Sequence, residues 1–393
     1  MSLISTITPL TLGLDPVAGE GTQWSIVFDG TWRPCDRVSL ILVGNSVLTT
    51  YGAGDTTGID GQFVFTFNNR LYVLGGSTAY FSALADPTVF NDPNAVGNGF
   101  ITMSNYFSAP EDLVSIAHYQ GKLAFFSANT IQIWQTNADP TLFSLVQVLP
   151  NIGTFAKDSV RSVGDLDALF LHETGIRSLR ARETSLSAFV LDIGSPIDLI
   201  IRAKLLECTE EERVGACSVI EPETNSYWLF IKDTIYVLNY YPTAKIIAWS
   251  TFAPIDSDGV EFVATSMQAH EGLIYIRGDD DALYIYGGED GQAYDATVAV
   301  AETPWLDNAK PATSKSSSAI DVAIEGTWAV KAGMDYFVAT LSPVMNVNKS
   351  TFGYARIPYT ARGTHFKLRL ESQGATAARF SSILFHFQEE NTR

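Results

Sequence analysis

The sequence predicts an all-β protein: a β-propeller, six-bladed by the best count, followed by a small C-terminal antiparallel β domain. Three observations carry this. Short runs rich in Val, Ile, Tyr, Phe and Trp recur along the 393 residues, each closed by turn residues. One passage is written twice: Leu71 maps onto Leu123, 52 residues on, and Asp86 onto Asp139, 53 residues on. Beyond residue 320, apolar residues alternate with period two, the pattern of half-buried strands.

Residues 1–23 read as an N-terminal arm and 24–300 as the propeller. The runs 24–28, 38–43 and 46–51 open it, with Gly44-Asn45 as a tight connection. "QFVFTFNNRLYVLGGSTAYFS" then yields three strands, separated by Asn68-Asn69 and Gly75-Gly76-Ser77. "DLVSIAHYQGKLAFFSANTIQIWQ" yields three more, with turns at Gln120-Gly121 and Ser127-Ala128-Asn129. Each block is followed by Asp-Pro-Thr-apolar-Phe: Asp86, Pro87 and Phe90 in the first, Asp139, Pro140 and Phe143 in the second. Asp before Pro initiates a turn, the Thr hydroxyl caps it, and the Phe ring anchors it. The motif therefore reads as an architectural joint.

Weaker copies occupy 162–181, 217–252 and 262–288, the last with Glu271-Gly272 as a turn, at a spacing that suits units of about four strands. The charged, Leu-rich stretch 195–215 interrupts them and reads as a helix or helical turn. A meander of three or four strands cannot cover both of its faces, and radial stacking of such sheets solves that. Residues 301–319, polar and containing Pro304 and Pro311, read as a linker. Residues 320–393 form the C-terminal β domain, with Phe366, Leu368 and Leu370 on one face.

Composition narrows the function. Hydrophobic residues make up 46% and aromatics 12%, which suits a folded chain. The formal net charge is -18, so the surface repels free nucleic acid, though a duct for weakly gripped DNA remains compatible. Cys35, Cys208 and Cys217 match no zinc spacing. The first residues make a poor signal peptide and no run of eighteen apolar residues occurs, which predicts a soluble chain without a membrane-spanning segment.

Chemistry-bearing motifs are scarce. His118, His172, His270, His365 and His386 form no metal-ligand spacing, and no nucleophile elbow or phosphate loop occurs. The acidic stretches 256–261 and 277–291 lack the hand-type calcium pattern and suit hairpin turns better. A propeller glycosidase would need converging carboxylates; Asp165, Asp167, Glu173, Asp233 and Asp281 qualify by type but stand in or beside turns. No catalytic residue, metal ligand or cofactor site is nominated, and the expectation is a non-enzyme.

The passage "LYVLGGSTAYFSALADPTVF" resembles a strand-turn-strand signature of tail nozzle proteins from short-tailed bacteriophages, the tail tubular protein B-like family related to packaged-DNA stabilisation (tail hub) proteins. The matching positions are Ala83 or Ala85, Asp86, Pro87 and Phe90, then Asp139, Pro140 and Phe143. A post-propeller element, Thr303, Pro304, Trp305 and Leu306 leading to Glu325 and Gly326, is similar to the same family. The resemblance implies a homohexameric ring in the virion tail, below portal and adaptor proteins. In that reading DNA passes through the channel without sequence-specific binding, and tail fibre or needle proteins are possible further partners. The alternatives are a β-propeller module that binds protein or glycan and a propeller-type glycoside hydrolase.

Overall fold

The computed structural model describes residues 47–48, 59–87, 89–90, 96–107, 110–184, 192–221, 223–241, 246–255, 260, 262–280, 282–288, 297–335, 341–374 and 376–389. The expected arm 1–23 and the runs 24–28 and 38–43 lie outside them. Several small antiparallel sheets and short helices make up the described fold.

β1 (Val47–Leu48) pairs with β2 (Ile59–Asp60). A first meander has four strands, β3 (Phe63–Phe67), β4 (Arg70–Gly75), β5 (Thr78–Phe81) and β6 (Gly99–Thr102). The second repeats it with β7 (Leu113–Tyr119), β8 (Lys122–Ser127), β9 (Thr130–Gln135) and β10 (Ser144–Pro150). The third has three strands, β11 (Arg161–Val163), β12 (Asp167–His172) and β13 (Gly175–Ser178). Helices α1 (Leu179–Thr184), α2 (Asp198–Glu207) and α3 (Glu210–Val214) follow, filling the stretch where strand-like alternation fails. The fourth sheet comprises β14 (Cys217–Ile220), β15 (Tyr227–Ile231), β16 (Thr234–Tyr241) and β17 (Ile246–Phe252). The fifth comprises β18 (Ala264–His270), β19 (Leu273–Gly278) and β20 (Leu283–Ile285).

The hairpins turn where the sequence predicts. Asn68, Asn69, Gln120 and Glu271 adopt positive φ, as tight two-residue connections require. Packing explains the unbroken apolar runs. In β8, Leu123 and Phe125 face the first sheet's core, while Ala124 and Phe126 face the third sheet's. In β15, Tyr227, Leu229 and Ile231 pack toward the third sheet and α2, while Trp228 and Phe230 pack toward the fifth. Strands buried on both faces need apolar residues at every position. The first strand of each sheet also packs on that of the next: β3 on β7, β7 on β11, β11 on β14, β14 on β18.

The terminal sheet is built differently. Its strands are β21 (Val300–Glu302), β22 (Lys315–Gly333), β23 (Ser342–Gly363), β24 (Lys367–Ser372) and β25 (Arg379–Glu389), in the order β21-β24-β22-β23 with β25 also on β22. β22 is long enough to pair with β25 along its first half and with β24 along its second. It bends at Glu325 and Gly326, where the register with β23 shifts. Gly326 has φ 86°, and a Cβ there would fall 2.5 Å from the Ala377 carbonyl, so the bend requires glycine. The bent halves enclose one core of Ile320, Val322, Ile324, Trp328, Leu368 and Leu370 with their neighbours.

A charged ladder crosses the far side of this sheet. Glu302 pairs with Lys367 and with Arg369 at 3.0 Å, and Glu371 pairs with Lys331 and Arg369, each at 2.7 Å. Hydrogen bonds from Lys367 hold the Glu302 carboxyl below its ordinary range, and those from Lys331 do the same for Glu371. A carboxyl whose folded pKa is lowered contributes stability above its unfolded pKa and loses it as pH falls through the folded value. Thermal melts between neutral pH and about pH 3 should therefore show an acid-side loss that high salt reduces. Lys331→Met with Lys367→Met, which removes the main hydrogen-bond donor to each carboxylate, should flatten that loss; an unchanged pH profile would rule the ladder out as its source.

Candidate functional site

The two echoed motifs meet at one side chain. Arg70 opens β4 directly after the Asn68-Asn69 turn and is buried, with 3% exposure. One terminal nitrogen donates to the carbonyls of Ser82 (2.7 Å) and Gly97, and the other donates to that of Ala138 (2.5 Å). Ser82 precedes Asp86-Pro87 in the first copy, and Ala138 precedes Asp139-Pro140 in the second. The guanidinium lies over the rings of Phe81 (5.5 Å) and Phe143 (5.9 Å). Burial draws Arg70 below its ordinary pKa, against the opposing pull of Tyr72 and Asp139.

Asp139 caps the short 3-10 turn Pro140–Leu142, accepting from the Thr141 backbone N–H at 2.9 Å and its hydroxyl at 2.8 Å. Those Thr141 bonds hold the exposed carboxyl low. The two Phe anchors occupy different places. Phe90 is buried against Val73 with Leu71 and Tyr80, whereas Phe143 is half-buried in the core between the first two sheets, 5.0 Å from Phe81. A cavity of about 360 Å³ lies beside this joint, lined by Thr66, Asn69, Arg70, Leu71, Ser82, Ala85 and Pro87. The Ser82 hydroxyl accepts from the Leu71 N–H and donates to the Ala83 carbonyl, and the Arg70 Nε is buried without an acceptor. The arrangement works as a latch between sheets.

Three of the carboxylates considered for catalysis, Asp165, Asp167 and Asp233, have structural partners. Asp165 accepts from the Gly121 N–H and stands 3.1 Å from His118, joining the second sheet's turn to the third's. Asp167 accepts from the Ser178 hydroxyl and the Arg180 N–H at the start of α1. Asp233 pairs with Lys204 at 2.5 Å. Glu173 lies in the β12–β13 turn, exposed, and Asp281 and the acidic positions of 256–261 lie outside the described residues. Asp280 accepts from the Ala282 N–H and the Tyr284 hydroxyl, the turn role expected there. Asp192, which sequence reading missed, accepts from the Ser178 and Ile193 N–H groups and from Arg182; burial pushes its carboxyl up.

Thr303–Leu306 is bonded along β24. The Thr303 N–H donates to the Leu368 carbonyl, its hydroxyl accepts from the Leu368 N–H, and Leu306 exchanges both backbone bonds with Phe366. Trp305 lies under the Lys367 ammonium, 6.0 Å from ring centre to nitrogen, and Pro304 is exposed. Glu325 stands 3.6 Å from Arg379, and its carbonyl accepts from the Trp328 indole.

The outer face of the terminal sheet's first half carries exposed aromatic, aliphatic and charged side chains. Tyr354 of β23 and Ser382 of β25 flank Ala323 of β22, with their hydroxyls 3.2 Å apart. One step along, Arg356 and Leu384 flank Asp321. The Asp321 carboxylate is held by His386 at 2.8 Å, with Arg356 at 3.8 Å. Tyr354 is 59% exposed and Leu384 50%, and Phe352 stands exposed at the bend. All 22 residues of β23 include Lys349, Arg356 and Arg362 and no Asp or Glu. Charge is divided along the chain: residues 1–300 hold 35 acidic against 15 basic side chains, and 301–393 hold 8 against 10.

No family model matches the chain, and no curated protein does either. Solved structures give remote likenesses. PorZ, a type-IX secretion component of Porphyromonas gingivalis, is 14% identical over 57% of this chain and 24% of its own, at a TM-score of 0.32. An exo-beta-1,3-galactanase from Phanerochaete chrysosporium is 10% identical over 88% of this chain and 100% of its own, at 0.31. The β-propeller domain of Myceliophteria thermophila Cps50 (Swd1) is 8% identical over 57% and 64%, at 0.33. None of these is a phage tail protein. The expectation of a tail nozzle or hub, with its viral, connector and DNA-ejection roles, is corrected here: those findings do not support it, and it is withdrawn. At such scores they assign this chain no activity.

Replacing Arg70 should test the latch. Arg70→Ala leaves three carbonyls without their donor and should lower stability by about 2–4 kcal/mol in urea titrations. Arg70→Lys should fail to restore it, because one ammonium cannot reproduce the forked geometry. A loss below about 0.5 kcal/mol in both would remove the latch from the folding unit.

Proposed function

We propose that the chain is a protein-recognition module, a propeller-type stack of small sheets that carries a terminal β sheet as its binding element. The succession of meanders, with first strand packed on first strand, supports the propeller reading. It makes six blades if residues 24–60 complete one. The observation that carries the function is the outer face at Tyr354, Arg356 and Leu384. Tyr and Arg are the side chains that dominate protein-binding hot spots, and here they stand exposed over a rigid three-stranded base. The basic, acid-free β23 selects for carboxylate-rich partners. On a rigid sheet the side chains are pre-ordered, so little conformational entropy is lost on docking.

The purified chain should bind acidic peptides on an array in preference to neutral or basic ones, and more weakly as salt rises. Tyr354→Ala with Arg356→Ala should weaken that binding about tenfold or more. Binding confined to glycans and dependent on Tyr354 would move the module to the glycan-binding class. Turnover of a glycan, abolished by one carboxylate substitution, would replace it with a hydrolase.

A further inference from the structure

A second unpartnered apolar surface lies on α2. Ile201 and Leu205 point into the core between the third and fourth sheets. Leu199, Ala203 and Leu206, spaced i, i+4, i+7, line another face of the same helix. Leu199 is 79% exposed and Leu206 80%, and Ile200 next to Leu199 is also exposed. Helices on a soluble surface rarely leave such large aliphatics bare, and a contiguous apolar patch marks a contact site. Glu207, Glu210 and Glu211 are exposed at its C-terminal end, and Arg202 is exposed on the same face between Leu199 and Leu206, so the border is acidic on balance.

The two surfaces complement each other. One has aliphatic residues with three glutamates at its C-terminal end against the single Arg202; the other has Tyr354, Leu384 and Phe352 on a strand and its neighbour, the strand β23 carrying Arg356, Arg362 and Lys349. The face's own acidic groups are engaged, Asp321 by His386 and Glu325 by Arg379. Dimensions agree as well. A ten-residue helix is about 15 Å long, and three strands span about 10 Å between the outer two. Both surfaces belong to one chain and both are exposed in it, so only another molecule can bring them together.

We infer that the occupant of the terminal sheet's outer face is a second copy of this chain, docked through α2 and α3. This rests on reading that face as the recognition surface. The contact is heterologous: each chain offers a helix patch to one neighbour and a sheet face to another, so assembly proceeds head to tail. The patch is small beside a standard interface, so association is weak and sensitive to salt.

Sedimentation velocity on the full chain tests this. The wild type should form species larger than a monomer at about 100 μM in low salt, and lose them in high salt. Leu199→Asp with Leu206→Asp disables the helix patch; Tyr354→Ala with Arg356→Glu disables the sheet face. Each variant alone should be monomeric, with a far-UV spectrum and urea midpoint like the wild type's. Mixed, they should form a one-to-one dimer and nothing larger, because one intact patch of each kind remains. If a double variant misfolds, Glu210→Arg with Glu211→Arg and the single Arg356→Glu test the contact by charge alone: each should be monomeric by itself, and the mixture should assemble again because the altered charges complement each other. A monomeric wild type that still binds acidic peptides through Tyr354 would overturn the second copy and leave the recognition reading standing. Assembly indifferent to Tyr354 and Arg356 would overturn both.

Discussion

The middle sheets of this protein have two apolar faces, and that constraint organises the rest. β8, β12 and β15 are apolar at nearly every position because odd and even residues enter different cores. A four-stranded meander left alone would expose one of those faces to water, at a cost of about 25 cal/mol per Å² of apolar surface. Each sheet is thus stable only between neighbours, and the chain meets this by laying down sheets in series.

Apolar stacking sets no register between sheets, because dispersion and burial are non-directional. Directional bonds at the turns supply it. Arg70 ties the first sheet to the second through backbone carbonyls, and Asp165 ties the second to the third through the Gly121 N–H. Arg161 does the same between third and fourth by donating to the Ser218 carbonyl. These groups are polar and lie at sheet junctions, where the backbone has unpaired carbonyls to offer. Their role is orientation, which burial cannot provide.

The terminal sheet follows another logic. One bent strand, β22, is paired along both halves and folds the sheet around a single core, so its outer surface needs no neighbouring sheet. That surface can therefore carry Tyr354, Arg356 and Leu384 without a folding role. The division of charge reinforces the separation: the acidic stack and the weakly basic terminal sheet present opposite fields. The proposed recognition face lies where folding makes the fewest demands.

Much of the stack was legible in the sequence. The Asn68-Asn69, Gln120-Gly121 and Glu271-Gly272 turns, the strands between them and the helical break at 195–215 all follow from local chemistry: positive-φ tolerance, apolar runs and lost alternation. The long strands were not. The 22 residues 342–363 include Gly353 and Pro358 and show no sustained apolar alternation; they form one strand because β22 lies alongside, with bulges where the register shifts. Arg70 went unnoticed as well, since its three acceptors lie 12, 27 and 68 residues away. The Asp-Pro-Thr-x-Phe motif misled on identity for a related reason. It is turn chemistry that any β chain can use, so it determined the joint and said nothing of the assembly. Local conformation is encoded in neighbouring residues. Which carbonyls a buried guanidinium reaches, and which aromatic faces stay uncovered, are decided only when distant strands pair.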